Sequence, residues 1–142
     1  MKGVNKLDRT DLLILDELSK NSRITMKELG EKVHLTGPAT SARVAKLEEN
    51  GVVQGYTIKV NQEKMGFSIH VIIQIYMKDT HHQPYLSFLK KQKDYVINNY
   101  IVSGESYYLL ESKFPSNDKL EEFLEDLGKY VSYKLSIVIN SK

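Results

Sequence analysis

Cysteine is absent from the 142 residues. That removes disulfide frameworks and thiolate metal sites and fits a reducing compartment. Long apolar runs are missing too: the longest, Val71–Met77, is interrupted by Gln74 and is far too short to cross a bilayer. The opening residues return to charge too soon for the apolar core of a signal peptide, so a cytoplasmic soluble protein with no membrane partner is expected. Charge of one sign is scarce as well. The net charge is +2, so any statement about partners must come from local distribution. There is no phosphate loop and no dinucleotide fingerprint, hence no expected cofactor. Ser103-Gly104-Glu105-Ser106 precedes a strand rather than a helix, which excludes a nucleophile elbow. His81-His82 is the only metal-like grouping; adjacent histidines diverge, and no third ligand is near, so no metal is expected. No acid–base pair stands out, and enzymatic activity is not expected.

One local absence carries more weight. From Lys32 to Lys46 there are three cations and no carboxylate, in a chain with 20 Lys and Arg against 18 Asp and Glu. The same stretch reads as two short helices joined by a tight turn. Thr25 followed by Glu28 is a capping box, in which each side chain satisfies an orphan N–H at the helix start. Leu29 and Val33 then form one apolar stripe, and His34-Leu35 closes the helix. Thr36 caps the next helix, with Gly37 and Pro38 in its first turn, where a missing N–H costs nothing. Thr40, Val44 and Leu47 make its inward face. Gly37, Ala39, Ser41, Ala42, Arg43 and Lys46 make an outward face of small and basic residues, suited to close approach to base edges and phosphates. With a first helix begun by Asp8, lined by Leu12, Leu13, Ile14, Leu15 and Leu18 and ended by Asn21-Ser22, the pattern is a helix-turn-helix whose second helix is the candidate recognition helix. The implied partner is double-stranded DNA.

After Gly51 the hydrophobic period changes from about 3.6 to 2. Residues 1–52 therefore read as the helix-turn-helix domain. Residues 53–66 read as a strand connector or hinge carrying Val53, Tyr56, Ile58 and Val60, with a turn at Met65-Gly66. Residues 67–142 read β-α-β-β-α-β, a ferredoxin-like domain. Its strands are expected near 68–77, 96–103, 106–114 and 131–139, with Gly104-Glu105 a tight hairpin. Its helices are expected over 84–92, and after Ser116 or Asn117 to a stop at Gly128. Both helices cover one sheet face. The other face carries Ile72, Tyr76 and Val138 among polar residues, a half-apolar surface that suggests pairing with a second copy. The fold class is thus α+β, with an N-terminal winged-helix-like domain.

This order of elements, and the segments LDRTDLLILDELSKNSRITMKELGEKVHLTGPATSARVAKLEENGVVQGYTIKVNQEKMGF and IVSGESYYLL, resemble the Lrp/AsnC (leucine-responsive, feast-famine) regulators. The resemblance implies a transcriptional regulator that dimerises through the sheet domain, assembles dimers into octamers in many members, and often responds to an amino acid. It places Thr36, Gly37, Ala39, Ser41, Ala42, Arg43 and Lys46 at DNA-facing positions and makes Arg23 a phosphate contact. It also implies an effector site at Gly104, Glu105, Ser106 and Tyr107. There the family favours Asp three residues after the glycine, and this chain has Tyr107, which supplies no fixed charge for a ligand ammonium. Two functions stay open: a regulator modulated by an amino acid or related small molecule, and an architectural protein that bends or wraps DNA without a ligand.

Overall fold

Two stretches of different hydrophobic period give two units, Met1–Lys59 and Val60–Lys142, in the computed structural model, which describes residues 6–141. The division falls inside the expected connector 53–66. That connector has the alternation of a strand but forms no ladder: the chain from Val53 to Asn61 is irregular and a turn occupies 62–66. A strand is held by backbone bonds to a neighbour, and among the described residues no backbone–backbone bond involves 54–60. Tyr56, Ile58 and Val60 are consequently exposed.

The first unit is three helices: α1 (Arg9–Lys20), α2 (Met26–Val33) and α3 (Gly37–Glu49). Their core is Ile14, Leu18, Ile24, Leu29, Val33, Val44 and Leu47. The stripe expected on α1 is narrower than its leucines suggested. Ile14 and Leu18 are buried, whereas Leu12 and Leu13 stay exposed, because neighbouring helical positions cannot all face one small core. The turn depends on Gly30. A Cβ built there would lie 2.6 Å from the Leu35 carbonyl and 2.9 Å from Thr40 Oγ1. His34 follows in the left-handed conformation (φ 61°) and ends α2.

The second unit is the expected split βαβ. Strand β1 (Ile69–Tyr76) leads to α4 (Gln83–Lys91), β2 (Val96–Ile101), β3 (Tyr108–Phe114), α5 (Asn117–Leu127) and β4 (Ser132–Ile137). The antiparallel sheet has the order β2-β3-β1-β4. Val71, Ile73, Ile75, Leu110 and Phe114 project from one face and pack with Tyr85, Phe88, Leu89, Leu120, Phe123 and Leu127 of the two helices. Three local expectations change. Strand β2 ends earlier and β3 begins later than expected at the loop, so the connection is longer than a two-residue hairpin, with Val102 N–H bonded to the Tyr107 carbonyl. The last strand stops at Ile137 instead of 139. Gly128 caps α5 with φ −61°, so its freedom to turn left-handed is not used.

The helix-free face holds a polar network that the alternation did not announce. Glu111 on β3 accepts from Asn98 Nδ2 of β2 at 3.0 Å and lies 2.7 Å from His70 Nε2 of β1. The Asn98 bond, then His70, hold the Glu111 carboxyl below its ordinary range against an opposing push from partial burial. Tyr76 and Ile72 share this face, half-buried, with Lys134 Nζ 5.5 Å from the Tyr76 ring.

Two expectations follow. Gly30→Ala should lower the melting temperature of the N-terminal unit. Overpacking costs about 1–3 kcal/mol. The upper part of that range applies, because the nearest obstacle is a backbone oxygen, and it outweighs the ~1 kcal/mol of helix propensity gained. A variant that melts with the wild type would refute the close-approach account. For Glu111, a depressed folded-state pKa means a stabilising contribution present above the unfolded value and lost as pH falls through the folded one. Denaturant titrations across that acidic window should therefore show a steeper loss of stability for the wild type than for Glu111→Gln.

Candidate nucleic-acid interface and effector pocket

Two caps set where the recognition helix begins. In the Thr25–Glu28 box, Glu28 N–H donates to Thr25 Oγ1 at 3.1 Å and Thr25 N–H donates to Glu28 Oε2 at 3.4 Å. Thr36 Oγ1 accepts from Ala39 N–H at 3.3 Å and starts α3. Thr40 stands at a core position, and its hydroxyl is satisfied by the Thr36 carbonyl at 2.8 Å, which is why a polar residue is tolerated there. With Thr40, Val44 and Leu47 turned inward, the opposite face carries Thr36, Ala39, Ser41, Ala42 and Lys46, all exposed, and Gly37, half-buried. Arg23, just before α2, is exposed. Neither Arg23 nor Lys46 has an ion-pair partner among the described residues.

Arg43 is in a different situation. Its Nη1 lies 2.8 and 2.6 Å from the two oxygens of Asp8 and 3.2 Å from Asp11 Oδ1. These carboxylates also cap α1: Asp11 N–H donates to Asp8 Oδ1 at 2.8 Å and Asp8 N–H donates to Asp11 Oδ2 at 3.1 Å. The Arg43 guanidinium holds the Asp8 carboxyl below its usual range, and Asp8 in turn raises the guanidinium. Arg43 therefore does not stand free on the outward face as the sequence suggested. The contact spans 32 and 35 residues, which helical spacing cannot reveal. The only available signal was the Asp8–Asp11 pair at capping distance opposite a basic helix. The groove beside it, about 370 Å³, is lined by Lys6, Leu7, Asp8, Asp11, Arg43 and Lys46 among others.

In the second unit, Gly104, Glu105, Ser106 and Tyr107 come together in one loop. Together with Tyr76, Met77, Val102 and Ser103 they line a shallow pocket of about 360 Å³. Gly104 has φ 134°, a conformation that side chains rarely adopt. Ser106 is buried, Glu105 is exposed and Tyr107 is 44% exposed. The loop is pinned by Tyr107 N–H, which donates to the Ile75 carbonyl at 2.9 Å. The Tyr107 ring stands edge-on to His82, with centroids 4.4 Å apart, and His82 Nδ1 lies 2.9 Å from the Tyr108 hydroxyl. Glu105 is the sole carboxylate of this lining. His82 was legible only as half of a histidine pair; its aromatic contacts required the fold. Among the described residues no group of three potential metal ligands occurs, and no helix is long and apolar enough to cross a membrane.

Residues 7–54 match the model of a winged helix-turn-helix DNA-binding family. Over 94% of its length the chain is 62% identical to the HTH-type transcriptional regulator LrpA of Bacillus subtilis, covering 98% of that protein. The solved structure of B. subtilis LrpC superposes with a TM-score of 0.89 at 29% identity, covering 96% of this chain and 97% of that one. A Neisseria meningitidis transcriptional regulator solved as an L-Met complex gives 0.87 at 26% identity, with 95% and 91% covered. Helix-turn-helix, split-βαβ sheet domain and full-length similarity agree: this chain belongs to the Lrp/AsnC family and is an HTH-type transcriptional regulator.

Proposed function

We propose that the chain acts in the cytoplasm, without catalysis, as a homodimer that sets two copies of α3 into successive major grooves on one face of the DNA. The observation that carries this reading is the outward face of α3. Ala39, Ser41 and Ala42 let the backbone approach base edges, Lys46 and Arg23 are free cations among the described residues, and the helix carries no carboxylate before Glu48 and Glu49 at its end. Small residues in the groove and cations on phosphates are the division of labour that specific readout requires. Dimerisation is assigned to the helix-free sheet face, where Ile72 and Tyr76 are half-buried around the Glu111 network. Assembly of dimers into octamers is the extension that the family resemblance suggests.

We further propose that an amino acid or related small molecule binds in the loop pocket of Gly104–Tyr107. The structural neighbour complexed with L-Met supports that ligand class. Backbone N–H groups at the loop and the Ser106 hydroxyl suit a carboxylate. The ammonium end meets Tyr107, a phenol rather than a carboxylate, so discrimination among free amino acids is expected to be poor. The architectural alternative, DNA bending without a ligand, draws on the same feature.

Lys46→Ala should weaken binding to all duplexes alike and reduce the slope of log K against log salt by about one. Footprinting should place half-site centres one helical turn, or a multiple of it, apart. Unchanged anisotropy titrations for Lys46→Ala would remove α3 from the interface. Tyr107→Asp should create or strengthen amino-acid binding by calorimetry, since a charge-assisted hydrogen bond contributes about 1.5–3 kcal/mol. Tight, selective binding of one amino acid by the wild type would contradict this account of the pocket.

A further inference from the structure

The Arg43 contacts leave one edge of the guanidinium unused. The group has five N–H donors in a rigid plane. The Nη1 side is taken by Asp8 and Asp11, and no partner of Nε or Nη2 occurs among the described residues. These two nitrogens form a flat two-donor fork that matches a pair of oxygens on a phosphate. The carboxylates holding the other side are themselves fixed, because each accepts a backbone N–H in the capping box of α1. Arg43 is half-buried, held by its Nη1 against the start of α1. Lys6 and Lys46 line the same groove, so it presents cations to an anion despite the two acids.

We infer that Asp8 and Asp11 are positioning residues that lock the Nη1 side of Arg43 and present its Nε/Nη2 edge to a DNA phosphate, so that Arg43 anchors α3 to the backbone and does not read a base. The inference rests on the proposed placement of α3 in DNA. It assigns opposite signs to charge and geometry. Removing a carboxylate beside DNA strengthens binding by simple electrostatics, whereas a lock that is lost lets the guanidinium wander and weakens it. An ordered donor also loses less side-chain entropy on binding, which is the advantage of preorganisation.

Asp8→Asn and Asp11→Asn separate the two, because the single amide oxygen of asparagine still accepts the capping bond, while loss of the charge and replacement of the other oxygen by an NH2 donor release the guanidinium. Full-length wild type and variants are titrated by anisotropy against a duplex selected for binding and an unrelated duplex of equal length, at several salt concentrations. Each Asn variant should bind both duplexes more weakly, on the order of tenfold, as loss of a charge-assisted hydrogen bond implies. Arg43→Ala should do the same and lower the salt slope by about one. In the Arg43→Ala background the Asn substitutions should have no further effect on affinity, a coupling that a purely structural role would not produce. Melting temperatures are recorded in parallel, and Arg43→Lys, which keeps the charge without the fork, should not restore affinity. Tighter or unchanged binding by the Asn variants, additive losses with Arg43→Ala, or a loss confined to the selected duplex would overturn the inference. If the wild type binds and Lys46→Ala is inert, the placement of α3 itself fails, and the inference falls with it.

Discussion

The close approach of α2 and the start of α3 governs the DNA-binding unit. With no side chain at Gly30, the Leu35 carbonyl and the Thr40 hydroxyl come within a distance that a methyl group would forbid. That approach brings Thr36 into position to cap α3 and places Thr40, Val44 and Leu47 against the small core. The exposure of Ala39, Ser41 and Ala42 is then a geometric consequence of which residues had to turn inward. A core of seven buried side chains is modest, and small units of this kind bury little of their chain. Polar closures therefore matter: the boxes at Thr25–Glu28 and Asp8–Asp11 fix helix starts that packing alone would leave loose.

The sheet unit solves a different problem. Its helices cover one face, so the core fills from alternate strand positions, and the other face must be compatible with water or with a second copy. Glu111, Asn98 and His70 satisfy one another there across three strands, while Ile72 and Tyr76 keep the face partly apolar. The loop before β3 is anchored to β1 through Tyr107, so any ligand at Gly104 presses on a segment tied to the central strand. His82, at the start of α4, touches both Tyr107 and Tyr108 and joins the loop to the helical layer.

Electrostatics in this chain are local. A net charge of +2 identifies no partner, yet the acid-free run around α3 creates a surface of one sign over the distances at which salt still permits attraction. Asp8 and Asp11, the acids that reach this helix from α1, are engaged with Arg43 rather than facing outward alone.

Several features could be read directly from residue order. Capping residues at Thr25, Glu28 and Thr36, the inward triplet of α3, and the period-2 strands around Val71–Ile75 depend on neighbours within a few positions, and local chemistry decides them. The βαββαβ order followed from where the period changed. Other features needed the chain to close on itself. Leu12 and Leu13 look like core until the size of the core is known. The alternation of 53–60 looks like a strand until one asks what would bond to it. The pairing of Arg43 with Asp8 and Asp11, the Glu111 network and the His82 contacts join residues up to 41 positions apart, as His70 and Glu111 are. Sequence spacing encodes which face a residue occupies; only the packing of one element on another decides which charges meet across that face, because their energy depends on distances in space that periodicity does not carry.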